Sequence, residues 1–157
     1  MPITFDDLFD LPLKKLKPAT PISVPIGTTL KEVTTLLKSH RIGCILITED
    51  NKLAGIFTER DLLLKVIDED IDTATTPVDR FMTPSPECLL PRDSIAFALN
   101  RMSLGGFRHI PIVDADHHPV GIISVKDIVD ILVNEFPQAV MNLPPEPRVY
   151  PSTPEGA

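Results

Sequence analysis

A chain of 157 residues, 43% of them hydrophobic, is long enough to fold as one compact domain or as two small ones sharing a core. Its longest apolar runs, Gly43–Ile47 and Val120–Ile123, fall far short of the roughly 18 residues of a membrane span. Its net charge of -7 opposes the phosphate backbone of nucleic acids, although a local basic pocket for one small anion stays compatible with it.

Residues 1–14 carry Asp6, Asp7 and Asp10 and read as an N-terminal segment without the features of a secretory signal, so a cytoplasmic location is expected. A short strand is expected near Ile22–Val24. Thr28 or Thr29 then caps a helix running to Ser39, with Leu30, Val33, Leu36 and Leu37 at helical spacing. Gly43–Thr48 and Leu53–Phe57 read as buried strands of a hairpin, turned at Glu49–Lys52, and Leu62–Val66 is an apolar helical stretch. The acidic, threonine-rich run Asp68–Pro77 suits a linker.

The same succession then recurs. A short strand near Glu87–Leu90 precedes a helix capped by Asp93 or Ser94, with Ile95, Ala98, Leu99 and Met102 on its inner face. Strands follow at Arg108–Val113 and Val120–Ser124, then an apolar helix that ends near Glu135. Six prolines between Pro137 and Pro154 predict an extended or disordered tail over 137–157. Cys44 and Cys88 have no Cys-x-x-Cys partner and read as small core residues.

The recurrence is in register. Gly55-Ile56-Phe57-Thr58-Glu59-Arg60-Asp61 matches Gly121-Ile122-Ile123-Ser124-Val125-Lys126-Asp127, 66 residues later, and the helices and first hairpin strands upstream match at an offset of 65. This gives a first unit over 15–72 and a second over 73–136. Within each motif, Thr58 or Ser124 followed three residues later by Asp61 or Asp127 is a capping-box-like helix start, and Gly55 and Gly121 mark a bulge or a close backbone approach. The same geometry also suits a ligand. A helix start presents N–H donors to an anion, and a carboxylate one turn in can accept from two vicinal ribose hydroxyls.

Three features together resemble the CBS-domain family, named after cystathionine β-synthase, over roughly residues 15–135. They are the two Gly-x-x-Thr/Ser-x-x-Asp segments, the strand Arg108-His109-Ile110-Pro111-Ile112-Val113-Asp114, and the entry Phe81-Met82-Thr83-Pro84 into the second copy. The resemblance implies an α/β (α+β) fold of two tandem β-α-β-β-α CBS units packed around a pseudo-two-fold axis, a Bateman module with two clefts. It further implies an adenosine-containing ligand (AMP, ADP, ATP or S-adenosylmethionine), with no other cofactor required, and a disc-like homodimer that Leu62–Val66 and Ile128–Val133 could supply with apolar faces. Carried over by position, Asp61 and Asp127 would hold ribose hydroxyls, Thr58 and Ser124 would sit beside the ribose and first phosphate, and residues around Ile45, Ile110 and Pro111 would border the adenine, with Gly55 and Gly121 in the same motifs.

Arg60 and Lys126 flank the two aspartates, and Arg108 and His109 begin the second hairpin, so these four are the candidate phosphate partners. The first copy has Gly43 and Cys44 where the second has Arg108 and His109, although His40 and Arg41 lie just before. The two clefts are therefore expected to differ, with Arg108 and His109 grouped with Ser124 and Asp127. Asp114, Asp116, His117 and His118 lack zinc spacing, and no nucleophile elbow or P-loop is present, so neither a metal site nor an enzyme is expected. The expected function is a regulatory ligand sensor acting on an unidentified effector. The alternative is a ligand-free scaffold that docks its partner through the Pro-rich tail.

Overall fold

The computed structural model describes residues 3–141. Those through Val125 form one unit, and those from Lys126 onward form a second, smaller one.

Local signals account for most elements. Thr4 caps α1 (Phe5–Asp10) in a capping box with Asp7, and a 3-10 turn follows at Leu13–Leu16. After β1 (Ser23–Pro25), Thr29 caps α2 (Leu30–His40), accepting from Glu32 N while Glu32 returns a carboxylate oxygen to Thr29 N at 2.9 Å. The hairpin is β2 (Cys44–Glu49) and β3 (Lys52–Thr58), closed by Asp50 and Asn51 at positive φ. The single turn of α3 (Glu59–Asp61) widens into a π turn at Leu62–Val66. A 3-10 turn at Val78–Arg80 leads to β4 (Thr83–Pro84), an element the sequence pattern does not announce.

The second copy contains α4 (Ile95–Gly105), capped by Ser94, and the hairpin β5 (His109–Val113) and β6 (Pro119–Ser124). The strand expected near Glu87–Leu90 is reduced to one parallel bridge between Leu89 and Ile112. In the smaller unit, α5 (Val125–Glu135) carries a Lys126–Asp130 ion pair at 2.5 Å, one turn apart. The tail expected to be extended from 137 begins instead as α6 (Pro137–Met141), since proline is well placed in the first turn of a helix, where its missing N–H is not needed. Residues 142–157 lie outside the described residues.

The first sheet has the order β1-β2-β3-β4, with β1 parallel to β2 and the other pairs antiparallel. Ile45 and Ile47 of β2 pack with Leu30, Val33 and Phe57 on the helix side, whereas Cys44 and Leu46 pack with Ile56 and Val113 on the other. Both faces are covered, which is why the run reads as continuously apolar. Each fully buried Leu, Ile or Phe contributes roughly 1.5–3 kcal/mol.

The leading segments are exchanged between the copies. Thr83 and Pro84, which enter the second copy, pair with Ile56 and Gly55 of the first; Ala19, which enters the first copy, bridges Ile122 of the second. The helix starts are closed in the same crossed manner. Leu30 N donates to Thr76 O and Val78 N to Thr28 O at 2.9 and 2.8 Å, and Ile95 N donates to Leu11 O and Leu13 N to Asp93 O at 3.1 and 2.8 Å. Corresponding atoms are 65 residues apart throughout, so the repeat reaches back to Leu11, before the boundary expected at residue 15.

Candidate functional site

The crossing of β4 creates a cleft of about 280 Å³ on the larger unit, near the lower end of the roughly 300–1,000 Å³ typical of small-molecule sites. One wall is the end of β3 and the start of α3, with Ile56, Thr58, Arg60 and Asp61. The crossing segment contributes Thr83, Ser85, Pro86 and Glu87, and the entry to β5 contributes Phe107, Arg108 and His109 opposite Gly43.

Asp61 is the chemical centre of the first wall. It is only 8% exposed, and its carboxylate is well bonded. Oδ2 accepts from Thr58 N at 2.9 Å and from the Thr58 hydroxyl at 3.1 Å, while Thr58 Oγ1 accepts from Asp61 N. Oδ1 meets Lys65 Nζ at 2.7 Å, and the same ammonium donates to Phe81 O at 3.2 Å and Thr83 Oγ1 at 3.3 Å. The capping reading of Thr58 and Asp61 is therefore realised, in a helix start whose carboxylate lines a cleft.

Basic groups come from both walls. Arg60 Nη1 donates to Gly106 O at 3.1 Å, and Arg108 Nη2 stands 3.8 Å from Glu59 Oε1 on the surface. Glu87 is engaged by the Arg101 guanidinium through both carboxylate oxygens, and this bonding raises the Arg101 pKa further. Gly43 gives the His109 ring room. A Cβ there would lie 3.0 Å from His109 Cε1 and 3.2 Å from Glu59 Oε1. Cys44, beside it, is held inert because burial, with Glu59 adding to it, pushes its thiol up to about 12.

The cleft thus gathers Thr58, Arg60, Asp61, Arg108 and His109 from the sequence candidates. Arg108 and His109, expected beside Ser124 and Asp127, line this cleft opposite the first motif. Ile45, Ile110 and Pro111 are buried, Ile45 and Ile110 at 0% exposure, and are not among the residues that line this cleft. Gly55 and Gly121 are not among its lining residues and stand against Met82 and Pro18 respectively. Ser124 pairs with His109 across the second hairpin, and Lys126 and Asp127 belong to the smaller unit. Arg41 instead borders a neighbouring pocket with Lys38 and Thr34.

Gly43, Ile56, Thr83, Ser85, Pro86, Glu87 and Phe107 were not singled out by sequence as wall residues. A signal was available: Pro12-Leu13-x-x-Leu16 and Pro77-Val78-x-x-Phe81 stand 65 residues apart and mark equivalent leaders to the two copies. Asp114, Asp116 and His118 offer ligand atoms within 4.8 Å of one another. The Asp114 carboxylate already accepts from His118 N and Asp116 N, both at 2.9 Å, and these bonds, His118's first, hold its pKa down.

The CBS domain family profile matches this chain twice, over residues 14–68 and 78–134. The chain belongs to the CBS-domain family. A CBS domain-containing protein of Arabidopsis thaliana, CBSCBSPB1, is 32% identical over 121 residues, which cover 76% of this chain and 22% of that protein, so the chain spans about a fifth of that relative's length. Among solved structures, CBS domain protein PAE2072 from Pyrobaculum aerophilum, complexed with AMP, aligns at a TM-score of 0.71 with 24% identity, covering 80% of this chain and 98% of that one. The CBS domain pair of protein MJ0100, in complex with 5′-methylthioadenosine and S-adenosyl-L-methionine, aligns at a TM-score of 0.71 with 21% identity over the same shares. The fold is that of a tandem CBS pair. Among the described residues no helix is long and apolar enough to cross a membrane.

Proposed function

We propose that this CBS pair is a regulatory sensor of an adenosine-containing ligand, with Thr58, Arg60, Asp61, Arg108 and His109 as its first binding site. One observation carries the reading: a nearly buried aspartate at a helix start lines the same small cleft as two arginines and a histidine. Asp61 supplies an acceptor for a ribose hydroxyl, and Arg60 and Arg108 supply planar donors for a phosphate. The AMP and S-adenosylmethionine complexes of the two CBS structures support this ligand class. The two arginines favour AMP, ADP or ATP over the sulfonium ligand.

The role is regulatory and not catalytic. Binding would favour one arrangement of the pair, and that difference in affinity would be relayed to an effector protein in the cytoplasm. Leu63, Leu64 and Ile67, exposed at 60%, 72% and 64%, form an apolar face suited to a homodimer of CBS pairs. Sedimentation of a Leu64→Glu variant tests that assembly: a monomer supports it, and a wild-type protein that is already monomeric removes it.

Calorimetric titration with AMP, ATP and S-adenosylmethionine tests the ligand reading. Saturable micromolar AMP binding is expected in the wild type and a loss of about tenfold or more in Asp61→Asn, with the fold intact. Asp127→Ala reports on the second motif. A scaffold role is favoured by the finding that Thr58 and Asp61 already complete a capping box without a ligand. Destabilisation by Asp61→Asn, with no nucleotide binding by the wild type, would select that role.

A further inference from the structure

We propose that Lys65 is a positioning residue that aims Asp61 at a ribose hydroxyl and locks it to the crossing strand. The proposal rests on the ligand reading above and assigns a function to a side chain that lies outside the cleft wall.

The argument begins with the carboxylate. An ionised aspartate has about four lone-pair directions. In Asp61 two on Oδ2 are taken by the Thr58 N–H and hydroxyl, and one on Oδ1 is taken by Lys65. The remaining acceptor direction on Oδ1 is set by the other three bonds. Without the ammonium, Oδ1 has no protein partner among these contacts, and the carboxylate loses the bond that fixes its rotation.

The ammonium is fully committed as well. A lysine has three donors, and those of Lys65 meet Asp61 Oδ1 at 2.7 Å, Phe81 O at 3.2 Å and Thr83 Oγ1 at 3.3 Å. None is left to hold a phosphate, so Lys65 acts through its neighbours. Those neighbours matter because Asp61 and Thr83 are both wall residues, contributed by the first motif and by the segment that leads into the second copy. One ammonium therefore fixes the separation of two walls. Lys65 itself stands in the π turn Leu62–Val66, a local widening that recurs at functional sites. Its repeat equivalent is Ile131, which cannot make these bonds, so the device belongs to the first motif alone.

A site that aims one acceptor at one hydroxyl rejects the analogue lacking it, because the buried acceptor is then left unpaired. Calorimetry with AMP, 2′-deoxy-AMP and 3′-deoxy-AMP on the wild type, Lys65→Met, Lys65→Gln and Lys65→Arg reads this directly. The wild type is expected to prefer AMP over at least one deoxy form by about tenfold. In Lys65→Met and Lys65→Gln the preference falls to about twofold or less while the deoxy forms bind as before, and Lys65→Arg keeps most of it. Equal weakening of AMP and both deoxy forms, or an unchanged preference, overturns the positioning role. A wild type that binds AMP without preference overturns this proposal alone; a wild type that binds no AMP overturns the ligand reading and this proposal together. Circular dichroism of each variant confirms that the comparison is between folded proteins.

Discussion

Met82 occupies the space in which a side chain on Gly55 would have to stand. A Cβ built on Gly55 lies 2.3 Å from Met82 Sδ and 3.0 Å from its Cγ. Gly55 pairs with Pro84 at the junction of β3 and β4, so the bare glycine lets the crossing segment lie flat on the first hairpin. The motif glycine is thus a packing device for the exchanged strand.

Gly55→Ala should accordingly displace Met82 and destabilise the protein by about 1–3 kcal/mol, the usual cost of overpacking. The thioether is flexible, and Met82→Ala removes the obstruction. In urea unfolding, the double variant should therefore lose less stability than the sum of the two single variants. Strict additivity would show that the contact does not govern the glycine.

The exchange of leaders makes a second prediction at the other end of the chain. Leu13 is fully buried and its N–H donates to Asp93 O, while Leu11 O accepts from Ile95 N at the start of α4. Leu13→Ala should cost about 2–5 kcal/mol, as large-to-small core changes do. Hydrogen exchange should quicken most at the first turn of α4, far from residue 13 in sequence. Loosening confined to residues near 13 would contradict the crossed closure.

Local signals were legible in the sequence wherever they are self-contained. Thr29 and Ser94 cap their helices, and the hairpins around Asp50 and Asp114 lie where turn residues interrupt apolar runs. A strand covered on both faces gives no alternation to say which side chains reach a cleft, so the pattern does not reveal that Ile45 packs against Leu30 and Val33. The gathering of Arg108 and His109 with Asp61 is illegible for a different reason. It depends on the path of residues 76–90 over the first hairpin, a long-range event without a local propensity. Only the matched Pro12 and Pro77 leaders hinted that the repeat extends beyond its motifs.

Acid should weaken α2 through its cap. Hydrogen bonds from Thr29, the backbone N–H first and then the hydroxyl, hold the Glu32 carboxyl below its ordinary value of 4.5. For a depressed acid, the stabilisation is complete above the unfolded-state pKa and is lost as pH falls through the folded-state pKa. Thermal denaturation of wild type and Glu32→Gln should therefore converge on acidification below about pH 4.5 and separate above it, with the wild type more stable. A separation that persists unchanged well below that range would locate the effect of the substitution outside the capping box.

Gly43 offers a way to obstruct the cleft without disturbing the core. A Cβ there would press on the His109 ring at 3.0 Å and on the Glu59 carboxylate at 3.2 Å, and both are side-chain ends of partly or fully exposed residues that can yield. Gly43→Ala should leave stability within about 0.5 kcal/mol of wild type, the restricted unfolded chain offsetting part of the strain. The displaced imidazole should instead move into the space assigned to the ligand, lowering AMP affinity by about tenfold in a calorimetric titration. Unchanged affinity would show that the ligand does not depend on the position of His109. A large loss of stability would show that His109 and Glu59 are held more rigidly than their exposure implies.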